Sequence, residues 1–436
     1  MSAAASGEIT ITSRITILAV ATLWLLTGAT LAAPNPEPYP TPVSKKGLQV
    51  QMVDDALALG ISHAGLNCHI TSLVDLEGQP DSEKFAFEGR DYFFRADPLA
   101  RLDAQIQPLS ERGVVISLIL LIYENSDEAL NAIFLHPRYD RTAKTTGMSA
   151  FNVATPDGVR HLRAAITFLA ERYSAPHGRV WNWIVGNEVN SHWWWNNMGR
   201  ASAEEVASDY ERAVRLVHDA VRTASENARV FISLEHHWTV RYHAGAADQV
   251  CPERELLEHF ARFARERGDF GWHVAYHPYP ENLGDPRFWR DQSATSADDT
   301  PRITFKNLEV LPRYLSRANL RWQGQPRRIN LSEQGFHCPE DRPDGERDQA
   351  AAWCAAWWKV AHLDGIDAFI LHRHVDHGQE GLNLGLWTHH LGTISTPERK
   401  RQMYELFRVA DTPEWERAFA FALPVIGIKH WEQLLP

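Results

Sequence analysis

From residue 47 onward, short apolar runs alternate with longer stretches whose apolar residues recur every three or four positions. The alternation predicts a parallel sheet covered by helices. Strands are expected at 63–69, 114–121, 180–186, 230–234, 272–276, 328–332 and 368–372. Helix signals fall between them. Thr155-Pro156 offers an N-cap followed by proline at the first helical position, and Val159, Leu162, Ile166 and Leu169 then form one apolar face. Ser202-Ala203-Glu204-Glu205 is a capping-box pattern, continued by Val206, Tyr210, Val214 and Val217. Residues 349–360 and 397–409 read as further helices.

Seven strands are visible, and the first is preceded by a helical stretch at 48–59. A helix in that place itself follows a strand, so a short, degenerate first strand is expected at 39–43, making the visible ones two to eight. The expected fold is α/β: a (β/α)8 TIM barrel in one domain over 47–436. It exceeds the typical length of about 250 residues through insertions at 71–96 and 125–155, which follow strands and so belong to the catalytic rim. An open doubly wound sheet is the rival, but it would carry a glycine-rich phosphate loop after an early strand, and there is none. Neither a linker nor an internal repeat divides the chain.

The N-terminus reads differently. Arg14 precedes an apolar run from Ile15 to Leu26, and Thr30-Leu31-Ala32 supplies the small residues a signal peptidase reads. Residues 1–32 are therefore expected to be a signal peptide, leaving roughly 400 residues exported to the periplasm or secreted. As an anchor the run is short, since a span needs about 20 apolar residues, and no stable membrane insertion is expected after cleavage. Residues 33–46, with proline at 34, 36, 38, 40 and 42, suit an extended lead-in. Four cysteines, Cys68, Cys251, Cys338 and Cys354, are too few and too widely spaced for a disulfide framework. If one disulfide forms, Cys338 with Cys354 is the expected pair.

Composition narrows the function. The 436 residues carry 44 Lys+Arg against 55 Asp+Glu, a formal net charge of -11, which disfavours a nucleic-acid partner. With 16 Trp exceeding 11 Tyr, and 21 His beside them, an aromatic binding cleft is worth testing.

Two strand ends carry carboxylates. Residues 181–190, WNWIVGNEVN, finish one apolar strand with Asn187 and Glu188; residues 329–336, INLSEQGF, finish another, three strands later, with Glu333. Both glutamates then open onto one rim, facing each other across the barrel mouth. Glycosidic cleavage needs such a pair: one carboxyl protonates the leaving oxygen while the other supports the oxocarbenium-like centre. In these residues the chain resembles the clan A glycoside hydrolases, barrels with an acid/base after the fourth strand and a nucleophile after the seventh. The likeness rests on Gly186-Asn187-Glu188 and Ser332-Glu333-Gln334-Gly335, supported by His277-Pro278-Tyr279 after the sixth strand. It implies Glu188 as acid/base, Glu333 as nucleophile and Asn187 as donor to the sugar 2-hydroxyl. It further implies that Tyr279 orients the nucleophile and that His277 lies against the same subsite. Val189 departs from the proline many members carry there, and no one family within the clan is identified.

Rim aromatics suggest the ligand. Trp193, Trp194 and Trp195 follow the fourth strand, Trp238 the fifth and Trp387 the eighth; sugar faces stack on such rings, and Trp195, Trp238 and Trp387 are expected at subsites. Trp353, Trp357 and Trp358, at helical spacing, read as core. Glu235-His236-His237 caps a strand, and His372-Arg373-His374 with His377 caps another. A metal site is conceivable there, but no strand supplies a complete ligand set, so Glu235 and these histidines read as substrate contacts or structural hydrogen-bonding groups. Asn67, and Glu124 with Asn125, are weaker polar candidates at strand ends. The expectation is a retaining glycoside hydrolase acting on a poly- or oligosaccharide, with no cofactor and no metal. The alternative is a carbohydrate-binding barrel without turnover.

Overall fold

The apolar runs close on themselves. In the computed structural model, which describes residue 1 and residues 33–143, 145–174 and 177–435, eight parallel strands form a barrel. They are β1 (Lys46–Gln49), β2 (His63–His69), β3 (Val115–Tyr123), β4 (Val180–Val185), β5 (Arg229–Glu235), β6 (Trp272–His277), β7 (Ile329–Gln334) and β8 (Ile366–Leu371). Each strand pairs with the next, and β8 pairs with β1 to close the ring. One helix of the outer layer follows each strand: α1 (Val53–Ala58), α2 (Ala96–Glu111), α3 (Pro156–Arg172), α4 (Ala203–Ala224), α5 (Glu253–Glu266), α6 (Val310–Leu315), α7 (Gly345–Ala361) and α8 (Gln402–Val409). The expected caps are present. Thr155 accepts from the Gly158 amide at 3.1 Å, and Ser202 and Glu205 close a reciprocal capping box.

Successive residues of a strand point to opposite faces, and this parity sorts the barrel. On β3, Ile116, Leu118, Leu120 and Ile122 pack outward against the helices, while Ile119 and Leu121 join Ile184, Phe231 and Ala275 in a small interior cluster. Below that cluster Ser117 Oγ accepts from Asn182 at 3.1 Å and from Asn330 at 2.8 Å, tying three strands across the axis. An eight-stranded barrel has room for one such packed column. The interior is thus a floor under the mouth rather than a channel.

Several expectations move. The first strand is Lys46–Gln49, not 39–43, and its helix begins only at Val53. A four-residue strand containing a glycine and two polar side chains carries little apolar signal; its pairing to β2 and β8 makes it a strand. The proline-rich lead-in is docked on the barrel: Asn35 bridges to Ser225, and Tyr39 donates to Asn182 at 2.9 Å with Arg229 3.5 Å over its ring. That segment covers the end of the barrel where the strands begin. Residues 397–409 split into a strand, Pro397–Lys400, paired with Trp387–His389, and then α8. The first insertion forms a small antiparallel sheet whose Phe94 stacks on Phe168 of α3 at 3.9 Å, away from the mouth. All four cysteines are buried and unpaired, so the expected Cys338–Cys354 disulfide is not formed. Cys354 faces the core from the middle of α7, whereas Cys338 sits in the preceding loop with its backbone held by Asn383. The expected signal peptide lies outside the described residues; among those described, no helix is long and apolar enough to cross a membrane.

Candidate active site

Local backbone geometry aims both glutamates. Beyond β4 the chain turns through Gly186, at φ 70°, and then Glu188 itself lies in the left-handed region at φ 40° and ψ 51°. A non-glycine residue held there costs about 1–3 kcal/mol and persists only where its surroundings over-determine it. Ser233 Oγ accepts from the Glu188 amide at 3.0 Å, and the Ser191 amide donates to the Glu188 carbonyl at 2.8 Å. Glu235 fastens the rest of the loop: one oxygen takes the Asn190 amide group and Ser191 Oγ at 3.1 Å, while the other takes His237 through its backbone amide at 3.1 Å and Nδ1 at 2.6 Å.

Glu333 is aimed by a defect in its strand. Asn330 and Ser332 point into the barrel, so plain alternation would send Glu333 outward to the helices. Between Leu331 and Gln334 the register against β8 slips by one residue, and this bulge turns the carboxylate into the mouth. Gly335 then lets the chain pass close to β8, since a Cβ there would meet the His372 carbonyl at 2.2 Å.

The two carboxylates meet over His277. One oxygen of Glu188, one of Glu333 and a ring nitrogen of His277 all lie within 4.8 Å of one another. His277 Nδ1 contacts Glu188 Oε1 at 2.9 Å and its Nε2 contacts Ser332 Oγ at 3.0 Å. Tyr279 donates to Glu333 Oε1 at 3.2 Å. The side chain of Glu188 is only 13% exposed. Burial raises its pKa, opposed by the His277 bond and reinforced by the charges of Glu235 and Glu333. For His277 burial acts downward, but the Glu188 hydrogen bond and the surrounding carboxylates prevail and raise it. Burial also works against ionising Glu235, yet the adjacent His237 and the donors on its carboxylate hold its pKa at about 2.

Above the pair opens a cleft of about 450 Å3. Asn67, Asn187, Trp195 and Glu333 line it, as the sequence suggested, and so do Gln49, Tyr123, Arg373 and Glu380, which it did not single out as subsite residues. Along one wall Asn67 accepts from Gln49 at 3.3 Å, Gln49 meets His372, and His372 meets Glu380 at 3.2 Å. Arg373 completes the band with two bonds to Glu380, at 2.6 and 3.0 Å. Burial would raise Glu380, but its His372 and Arg373 partners bring its pKa down to about 2. Gln49 was hidden by the misplaced first strand and Tyr123 by a third strand drawn two residues short. Glu380 lies in a loop where no pattern marks it.

Other expectations are corrected. Trp238 is fully buried, its indole N–H on the Asp298 carbonyl at 2.8 Å and its ring edge-on to Tyr314, so it is a core residue. Trp387 does not line the cleft; Asp55 accepts its N–H at 3.0 Å, and Tyr404 and Lys400 cover its ring. Glu235 is 3% exposed and supports the Glu188 loop without reaching the cleft. Of the long insertions, only the second reaches the cleft, through Thr146 and Met148.

Among the described residues, two groups bring three metal-type ligands together: Glu188–His277–Glu333 and Glu235–His236–His237. In the first, both His277 nitrogens are engaged in hydrogen bonds; in the second, Glu235 already accepts four. Either group would have to give up such bonds to bind an ion.

A closed (β/α)8 barrel whose mouth brings two glutamates together beside a histidine, under a polar cleft with an aromatic flank, is the class of molecule that fold and site define. The family described as Family of unknown function (DUF5722) matches residues 38–434, and the chain belongs to that family. No curated protein matches it. Among solved structures, a hyperthermophilic β-glucosidase from Pyrococcus furiosus is similar with a TM-score of 0.55 at 16% identity, over 86% of this chain and 86% of that one. A family 39 glycoside hydrolase from the gut symbiont Bacteroides cellulosilyticus WH2 is similar with a TM-score of 0.51 at 12% identity, over 86% of this chain and 65% of that one. The likeness is one of fold: the chain shares the barrel architecture of these two structures.

Proposed function

We propose that this protein is a retaining glycoside hydrolase acting on a poly- or oligosaccharide, with Glu188 as acid/base and Glu333 as nucleophile. The observation that carries the reading is the approach of the two carboxylates, whose nearest oxygens lie within 4.8 Å. Direct attack on the sugar places the carboxyls about 5–5.5 Å apart, whereas an inverting enzyme leaves about 6.5–9.5 Å for a water. The surroundings of Glu188 also act in the required sense. Burial and two neighbouring carboxylates favour the protonated form of Glu188, ready to donate to the leaving oxygen. Glu333 receives the Tyr279 hydroxyl at 3.2 Å, which orients its side chain for attack.

The sequence of events follows from those positions. Glu333 attacks the anomeric carbon as Glu188 gives its proton to the departing oxygen. Glu188, now a carboxylate beside His277, takes a proton from water as that water displaces Glu333 from the sugar. Asn187, which lines the cleft, serves in this reading as donor to a hydroxyl next to the reacting carbon. The test is hydrolysis of a panel of neutral, uronic and sulfated glycans, with the anomeric configuration of the first product read by NMR. Retention, lost in Glu333→Gln, is expected. An inverted product, or full activity in Glu333→Gln, would overturn the mechanism, and tight binding without any product would favour the non-catalytic barrel.

A further inference from the structure

Beyond the cleft the rim holds a second concavity, built by the loop after β5. Thr239, Tyr242, His243, Gly245, Pro252 and Glu255 are among the residues lining a hollow of about 590 Å3. Tyr242 and His243 supply the rings of its lining, and Trp194 backs the tyrosine. Trp194 and Tyr242 meet edge to face, with centroids 5.2 Å apart and planes at 88°, and Tyr242 also meets His237 at 5.7 Å and His243 at 4.9 Å. The loop packs tightly here because residue 245 is glycine: a Cβ there would come within 2.6 Å of Val250 and 3.2 Å of the Trp194 indole. Trp194 and Tyr242 nevertheless remain half-buried, so part of each ring faces outward. One cation, Arg241, and one anion, Glu255, border the hollow, which leaves it without a net charge.

Its position relative to the two glutamates gives it a role. A general acid protonates the oxygen that departs, so the leaving group lies on the acid's side of the mouth. Glu188 and Trp194 belong to the same loop after β4, and Trp195, next along, is already in the cleft wall. The polar band of Gln49, Asn67, Arg373 and Glu380 belongs to β1, β2 and the loop beyond β8, beside Glu333. The band therefore faces the sugar that is attacked, and the hollow faces what is released.

We infer that the Trp194–Tyr242 hollow binds the leaving-group portion of a neutral oligosaccharide, so that the substrate continues past the cleaved bond by at least one further sugar. Ring faces take the apolar side of a pyranose, and the flanking charged and histidine side chains take its hydroxyls. The inference rests on the reading of Glu188 as the acid.

Binding of neutral cello-, xylo-, manno- and galacto-oligosaccharides of two to six units is measured by calorimetry on the full chain carrying Glu333→Gln, which leaves them uncut. At least one series is expected to gain affinity with length, and adding Tyr242→Ala is expected to remove roughly tenfold of the affinity for the longer members while sparing the shortest. Trp194→Ala should act alike, and Tyr242→Phe, which keeps the ring, should restore the parent's affinity. Equal affinity in parent and Tyr242→Ala for every length, equal loss at every length, or no binding in any series would overturn the inference. If length-dependent binding is lost in Tyr242→Ala but the native chain cuts nothing, the site stands and the catalytic reading fails. If the native chain cuts and Tyr242→Ala binds normally, the reverse holds.

Discussion

Replacing Glu235 by alanine removes the anchor of the loop that carries Glu188. The carboxylate is buried and accepts four hydrogen bonds, from Asn190, Ser191 and twice from His237. Deleting one partner of a buried charged network costs about 3–5 kcal/mol, because the remaining donors lose both water and acceptor. Linkage gives a second route to the size. A carboxyl whose pKa drops from 4.5 to about 2 on folding contributes about 3 kcal/mol. Because the folded value is the lower one, this stability is present above about pH 4.5 and fades as the pH falls toward 2. Urea unfolding of native chain and Glu235→Ala should therefore differ by about 3–5 kcal/mol at pH 7, and the gap should narrow below pH 4.5. Turnover should fall as well, since the left-handed backbone of Glu188 would lose its support. A gap below about 1 kcal/mol at pH 7, or one that widens on acidification, would refute the reasoning.

Three other outcomes follow from particular contacts. Activity should decline as pH rises through the raised pKa of Glu188, and His277→Phe, by removing the bond that favours the carboxylate, should move that basic limb to higher pH; a rate profile of the two proteins checks the sign. Trp238→Ala should cost about 3–5 kcal/mol in denaturant melts as a core truncation, whereas Trp195→Ala should weaken glycan binding with a much smaller loss of stability. A thiol reagent should find four reactive cysteines only after unfolding, since burial shields them all and pushes the Cys68 thiol to about 12 and the Cys338 thiol to about 11.

Most of the barrel was legible because parallel strands buried on both faces leave short runs rich in apolar residues, and seven of eight did so. β1 did not, because Lys46, Gly47 and Gln49 become strand residues only through the neighbours that the closing ring brings to them. The lost strand hid Gln49, and with it one end of the polar band facing Glu333. Tryptophans divided in the same way. A ring next to a strand end can enter the cleft, as Trp195 does, or turn under the rim, as Trp238 does, and local sequence is alike in the two cases.

Residue chemistry at strand ends was the part set by sequence alone: a carboxylate after the fourth strand, another at the seventh, and His277 and Tyr279 between them. Their direction and their acidity were settled only by tertiary structure. Glu333 faces the mouth because a bulge against β8 reverses its strand parity, and Glu188 does so because Ser233 and the Glu235 network hold a backbone that an isolated turn would not adopt. The acid's raised pKa has the same origin: burial and the charges of residues more than forty positions away enter its surroundings only when the barrel closes.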